Sequence, residues 1–172
     1  MQKTKGLARG AMLAAAYVVL TYLQNILFPN STSFAIQFRA SEALCVLAFF
    51  TPAAMQGLSI GCLIFNILSG ATPIDFLIGS LASFLAAWAM WHTRKITVKG
   101  YPLLGMLMPA LFNAVLVGWE LTVYLGDTGF TMAAFWINAL YVAIGELIVL
   151  FTLGLLLHRA LNRGKLGRRV FG

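Results

Sequence analysis

Six apolar stretches, each with at most one charged residue, follow one another along the chain with only short breaks: 8–28, 41–51, 53–69, 73–91, 102–125 and 131–158. A bilayer crossing needs about 20 predominantly apolar residues in a helix. Several of these stretches meet that length, and the loops between them leave no room for a soluble domain. Hydrophobic residues make up 60% of the chain and charged residues 10%, against roughly 45–50% and 25% in a soluble domain. A water-soluble globule of 172 residues has too little interior to hide so much apolar surface, and disordered chains are poor in hydrophobic residues. The expected fold is an all-α integral membrane bundle of six transmembrane helices forming one membrane domain over 1–172. The second stretch is short for a full crossing, and the Thr51-Pro52 junction carries no charge. A re-entrant pair is the alternative at that boundary.

The net charge is +7, which raises nucleic acid as a partner, but the distribution of charge points elsewhere. Lys3, Lys5 and Arg9 precede the first stretch, Arg94, Lys95 and Lys99 lie between the fourth and fifth, and Arg159, Arg163, Lys165, Arg168 and Arg169 close the chain. Six crossings place all three clusters, eleven of the twelve basic residues, on one side. The excess of Lys and Arg in cytoplasmic loops then puts both termini in the cytoplasm. The clusters meet anionic membrane lipid, and no nucleic acid partner is expected. The location that follows is a cell membrane, multi-pass, of prokaryotic type. Arg39 is the lone base on the opposite side.

Motifs for other chemistries are missing. Arg163-Gly164-Lys165-Leu166 lacks the leading glycine and trailing Ser/Thr of a phosphate loop, so the chain does not hydrolyse ATP by itself. Cys45 and Cys62 lie in apolar stretches without metal-ligand spacing and read as small buried hydrophobes. His92 and His158 fall where apolar stretches meet basic clusters. No secretory signal and no internal repeat are evident. No cofactor or metal is expected.

The acids are Glu42, Asp75, Glu120, Asp127 and Glu146. Ionised groups in a bilayer are costly and mark function by default. Asp127 reads as a solvated turn residue. Thr72, Pro73 and Asp75 form a helix-capping pattern, which also sets Asp75 at the outer mouth. Ser41 is the expected cap of the second helix, with Glu42 favouring its positive end and Arg39 near enough in sequence to pair with Glu42. This segment reads either as a loop latch or as a lid over a ligand. Glu120 lies inside the fifth stretch and shares a helix face with Asn113, seven residues earlier. Glu146 lies inside the sixth, after Asn138 and Tyr141, and Asn66 adds an amide to the third. Interhelical glue is the bland reading of such groups. Two acids, three Asn, Trp119 and Tyr141 together point instead to a polar pocket in the bundle. Carboxylates accept paired N–H groups and aromatic rings stack on flat faces, so the pocket suits a flat, donor-rich, cationic heterocycle.

The first stretch holds small residues four apart: Gly10 and Ala14, and Ala11 and Ala15. Such spacing flattens a helix face for close approach by another helix, either within the bundle or from a partner protein.

The basic N-terminus, the Ala11/Ala15 spacing and six short-looped spans resemble the substrate-binding S component of an energy-coupling factor (ECF) transporter. Gln37-Phe38-Arg39 with Ser41-Glu42-Ala43-Leu44 is similar to the QueT family within that group, and Asn66, Asp75 with Gly79, Asn113 with Gly118, and Gly145-Glu146 fall at that family's expected polar positions. The resemblance implies capture of a queuosine precursor, a deazaguanine such as preQ1 or queuine, at Glu42, Asn66, Asp75, Asn113, Trp119, Glu120, Asn138, Tyr141 and Glu146. It implies a lid including Gln37 and Arg39, and docking through Ala11 and Ala15 on an ECF module of a transmembrane coupling T component and two ATPases. It implies no enzymatic activity. The alternatives are an S component for another flat vitamin (thiamin, riboflavin or a pterin) and a stand-alone membrane facilitator. A membrane-embedded enzyme is disfavoured, since both histidines sit at the cytoplasmic ends of spans and no paired-aspartate spacing occurs.

Overall fold

The computed structural model describes residues 2–29, 31, 38–124, 130–163 and 167. The described chain is helical: α1 (Gln2–Leu27), a 3₁₀ helix (Ala40–Phe49), α2 (Ala53–Leu68), α3 (Pro73–Thr93), α4 (Leu103–Val123), α5 (Met132–Val149) and α6 (Leu155–Asn162). A π-helical turn, Leu150–Gly154, joins α5 to α6 without interrupting the run. α1, α3, α4 and the joined α5–α6 run are long and apolar enough to cross a membrane, whereas the 3₁₀ helix and α2 are shorter. Large side chains such as Ile26, Leu77, Leu111, Trp136 and Leu140 are exposed on the outside of the bundle, an unfavourable arrangement in water and the expected one in lipid.

Contacts at the two ends give the path of the chain. At one end α1 meets the start of α2 at Gly10, Arg159 Nε donates to the Tyr101 hydroxyl at 3.1 Å, and His158 packs against Phe49, Phe50 and Tyr101. At the other end Gln24 reaches Phe38 and Ala40, and Asn66 reaches the carbonyl of Asp75 at 3.3 Å. The six segments therefore alternate in direction. Lys3, Lys5, Arg9, Arg94, Lys95, Lys99, Arg159 and Arg163 gather at the first, basic end, and Arg39 lies at the far end.

The second segment runs from the Gln24 side of α1 toward the basic end. Its start bonds to α1, through Glu42 to Tyr17 and Ser41 to Thr21, while Phe49 at its end lies against Gly105 and His158. The 3₁₀ form explains how 10 residues suffice. At about 2.0 Å rise per residue they extend roughly 20 Å, against about 15 Å for an α-helix. Because Ser41, Glu42, Ala43 and Cys45 through Ala48 are buried, this segment threads the protein interior and need not match the thickness of the lipid. Ser41 does not cap it: Arg39 is the N-cap, without a side-chain cap bond, and the Ser41 hydroxyl is taken by Thr21 at 2.8 Å.

Gly10 and Ala14 are used inside the bundle. A Cβ at Gly57 would lie 2.6 Å from the Gly10 carbonyl oxygen, and one at Gly61 would lie 2.9 Å from that of Ala14. Backbone on both sides of these contacts leaves nothing flexible to yield. Gly61→Val is expected to destabilise the protein by about 1–3 kcal/mol through overpacking, seen as a lower midpoint in detergent thermal unfolding. An unchanged midpoint would show that α1 and α2 separate freely.

Candidate functional site

At the far end a cavity of about 440 Å³ opens between α1, the start of the 3₁₀ helix and α2 to α5, a size suited to a small molecule. Its charged lining residues are Arg39, Glu42, Asp75, Glu120 and Glu146, joined by Asn66, Ser83 and Asn113. Helical spacing aligns them. Asp75, Gly79 and Ser83 are four apart on α3, Asn113 and Glu120 are seven apart on α4, and Val142 and Glu146 are four apart on α5. Gly79 leaves room where a Cβ would come within 3.1 Å of the Asn66 amide nitrogen.

The hydrogen bonds divide this lining into occupied and free groups. Glu42 accepts from the Tyr17 hydroxyl at 2.5 Å and from the Cys45 thiol at 3.1 Å. Glu146 Oε1 accepts from Asn113 Nδ2 at 2.9 Å. Asp75 caps α3: its Oδ2 accepts from the Thr72 N–H at 2.8 Å, and its own N–H donates to Thr72 Oγ1 at 3.3 Å. Asp75 and Glu120, on facing helices, also come within hydrogen-bonding reach of each other, so two carboxyl groups stand side by side in the wall. Three buried atoms have no hydrogen-bond partner: Glu120 Oε1, Glu146 Oε2 and Arg39 Nε. All three residues line the cavity. Buried polar atoms are costly when unpaired, so these three side chains are the ones whose hydrogen bonding the described residues leave incomplete. Among the described residues no group of three or more His, Cys, Asp or Glu is placed to hold a metal ion.

Of the residues named from sequence, Glu42, Asn66, Asp75, Asn113, Glu120 and Glu146 thus come together around one cavity, and Arg39 stands in its wall. Trp119, Asn138 and Tyr141 do not line it. Trp119 follows Val117 and precedes Glu120 on α4, but a step of one residue turns the helix by about 100°, and its ring is exposed and packs on Tyr124 instead. Tyr141 is rotated off the Val142–Glu146 face in the same way and is exposed. Asn138 shares that face, but its amide donates to Thr122 Oγ1 at 3.0 Å, binding α5 to α4. Arg39 does not pair with Glu42 as the sequence suggested. Its Nη1 instead lies 3.8 Å from the Cys62 sulfur. Gln37 and Asp127 fall outside the described residues. Ala11 and Ala15 lie on the opposite face of α1 from Tyr17, exposed along a shallow apolar groove.

Sequence reading missed the polar row on α1. Tyr17, Thr21 and Gln24 are all buried, and with Gly10 and Ala14 they follow a helical spacing along one face. Three hydrogen-bonding side chains on the small-residue face of an apolar helix were the available signal.

A multi-pass membrane bundle with a polar cavity open at one end and unpaired carboxylate oxygens in its wall has the build of a carrier for small molecules. The chain belongs to the QueT transporter family, whose profile matches residues 7–163, and it is a multi-pass membrane protein. Over 84 residues it is 37% identical to a queuosine precursor transporter QueT of Lactococcus lactis subsp. cremoris (strain MG1363), a stretch that covers 48% of this chain and 47% of that protein. The chain thus matches about half the length of that curated relative. No solved structure matches it.

Proposed function

We propose that this chain is the substrate-binding S component of an ECF-type importer and that it captures a queuosine precursor of the deazaguanine class. The observation that carries the reading is the pair of unpartnered acceptors, Glu120 Oε1 and Glu146 Oε2, in the wall of one cavity. A deazaguanine presents ring and exocyclic N–H donors, and its aminomethyl form adds a cation suited to the Asp75–Glu120 pair. The cavity lies opposite the basic clusters, so cytoplasmic termini place its mouth outside, where a scarce nutrient is met. Family membership and the relative's name support the same substrate. Arg39 and the neighbouring segment would cover the ligand, and the Ala11/Ala15 face would dock on the T component of a module with two ATPases.

Titration calorimetry of the purified protein tests this. Binding of 7-aminomethyl-7-deazaguanine, with none of thiamin, riboflavin or a pterin, is the expected result. The reverse preference would overturn the substrate, leaving the S-component role to be judged by uptake. Proteoliposomes holding this chain alone should not accumulate the ligand. Accumulation without module or ATP would make it a stand-alone facilitator.

A further inference from the structure

Arg39 is the one cation among the cavity's described lining residues, and its hydrogen-bonding capacity is not used up by the protein. Its Nε is buried and unpartnered. Its Nη1 faces the Cys62 sulfur at 3.8 Å, a weak acceptor. Tyr17, Cys62 and Glu42 are its nearest electrostatic neighbours, with Tyr17 also in hydrogen-bonding reach, and the Glu42 oxygens accept from Tyr17 and Cys45. These groups offset the charge, and the Nε–H is the donor they leave without a partner.

The backbone around Arg39 is held in place. Gln24 donates from Nε2 to the Phe38 carbonyl and, at 2.9 Å, to Ser31 Oγ, while its Oε1 accepts from the Ala40 N–H at 2.6 Å. One buried amide thus clamps the residues on both sides of Arg39. Arg39 itself is extended, with φ −117° and ψ 104°. A guanidinium carries five N–H donors and no acceptor, so the unpartnered Nε–H calls for an acceptor from outside the protein. The other free atoms of the wall, on Glu120 and Glu146, want donors. The cavity therefore asks for a ligand with N–H groups along one part of its edge and a carbonyl on another.

We propose that Arg39 reads the exocyclic carbonyl of the bound base, so that the site selects a 6-oxo deazapurine over the same ring without that oxygen. The proposal rests on the substrate class given under the proposed function and assigns the residue that sets selectivity within it.

The test uses the full chain in detergent and two ligands: 7-aminomethyl-7-deazaguanine and its analogue with hydrogen at position 6. A hydrogen bond from a charged donor is worth about ten-fold to a hundred-fold in affinity. Wild type is expected to favour the oxo ligand by at least that factor, because the analogue loses the ring N1–H donor along with the carbonyl. Arg39→Met should reduce that preference by about ten-fold to a hundred-fold by weakening the oxo ligand alone, the remainder being the share of the N1–H donor. Arg39→Lys keeps the charge but not the planar fork, so it should keep only part of the preference. Equal affinity of wild type for both ligands overturns the proposal while leaving the substrate class standing, and this measurement needs no variant to fold. Equal weakening of both ligands in folded Arg39→Met also overturns it and makes Arg39 a structural counter-charge. Wild type that binds neither ligand removes the substrate class and the proposal together.

Discussion

Replacing Glu146 by Gln is expected to weaken 7-aminomethyl-7-deazaguanine by roughly thirty-fold or more, the equivalent of the 2–5 kcal/mol that follows loss of one side of a buried charged hydrogen bond. The change keeps the side chain's shape. It lets the new amide oxygen go on accepting from Asn113 Nδ2, a bond of 2.9 Å in the native protein. What it alters is the second oxygen, the buried and unpartnered Oε2, which becomes an NH₂ group. A donor then faces the ligand's own N–H groups. Glu120→Gln should differ in kind. Glu120 sits beside Asp75, so the pair is suited to the aminomethyl cation, and the variant should hurt the amine ligand far more than its neutral nitrile analogue. Glu146, deeper in the bundle beside Asn113, should meet the base edge and affect both ligands alike. Titration of the two ligands against each variant decides the matter. Native affinity in both variants would return the two acids to the role of interhelical glue.

The membrane bundle was legible because its signals are local and strong. Apolar runs and basic clusters follow directly from the cost of polar groups in lipid, and the Thr72–Pro73–Asp75 cap is written within four consecutive positions. The cavity acids were legible for the same reason: an ionisable residue within an apolar run stands out. The sequence was less informative where the outcome depends on which neighbour a side chain finds. Asn138 and Asn113 are the same residue type in similar surroundings, yet one is bound by Thr122 and the other by a cavity carboxylate. Trp119 adjoins Glu120 in sequence but not in direction. The 3₁₀ form of Ala40–Phe49 has no compositional mark, because it arises from the distance the segment must span. Proximity in sequence makes Arg39 a possible partner of Glu42, but Tyr17 and Cys45, from outside the Gln37–Glu42 segment, are the groups that bond Glu42.

Tryptophan at both Ala11 and Ala15 is expected to abolish module-driven uptake while changing ligand affinity by no more than about two-fold, as for independent sites. Both small-residue rows of α1 border one groove, but they are engaged differently. Gly10 and Ala14 face α2 at contact distances that admit no larger residue, whereas Ala11 and Ala15 are exposed. With Val18, Val19, Gly57, Ile60 and Ile64 they border an apolar groove of about 480 Å³ on the outer surface of α1 and α2. Association of helices in lipid depends on close van der Waals packing at small residues, and two indole rings there would hold a coupling helix of the T component away from the groove. Since Ala11 and Ala15 lie ten or more residues along α1 from Asn25, the helix's contribution to the cavity lining, about 15 Å or more away, the rings should not disturb the ligand. Gly57→Leu serves as the contrasting variant. A Cβ there already meets backbone at 2.6 Å, so that change should damage folding and binding together. Copurification with the module, titration of 7-aminomethyl-7-deazaguanine and ATP-driven uptake in proteoliposomes separate these effects. Assembly and uptake that survive both tryptophans would mean that the module docks elsewhere. Binding lost along with assembly, in a protein still folded, would mean that the groove and the cavity are coupled through α1.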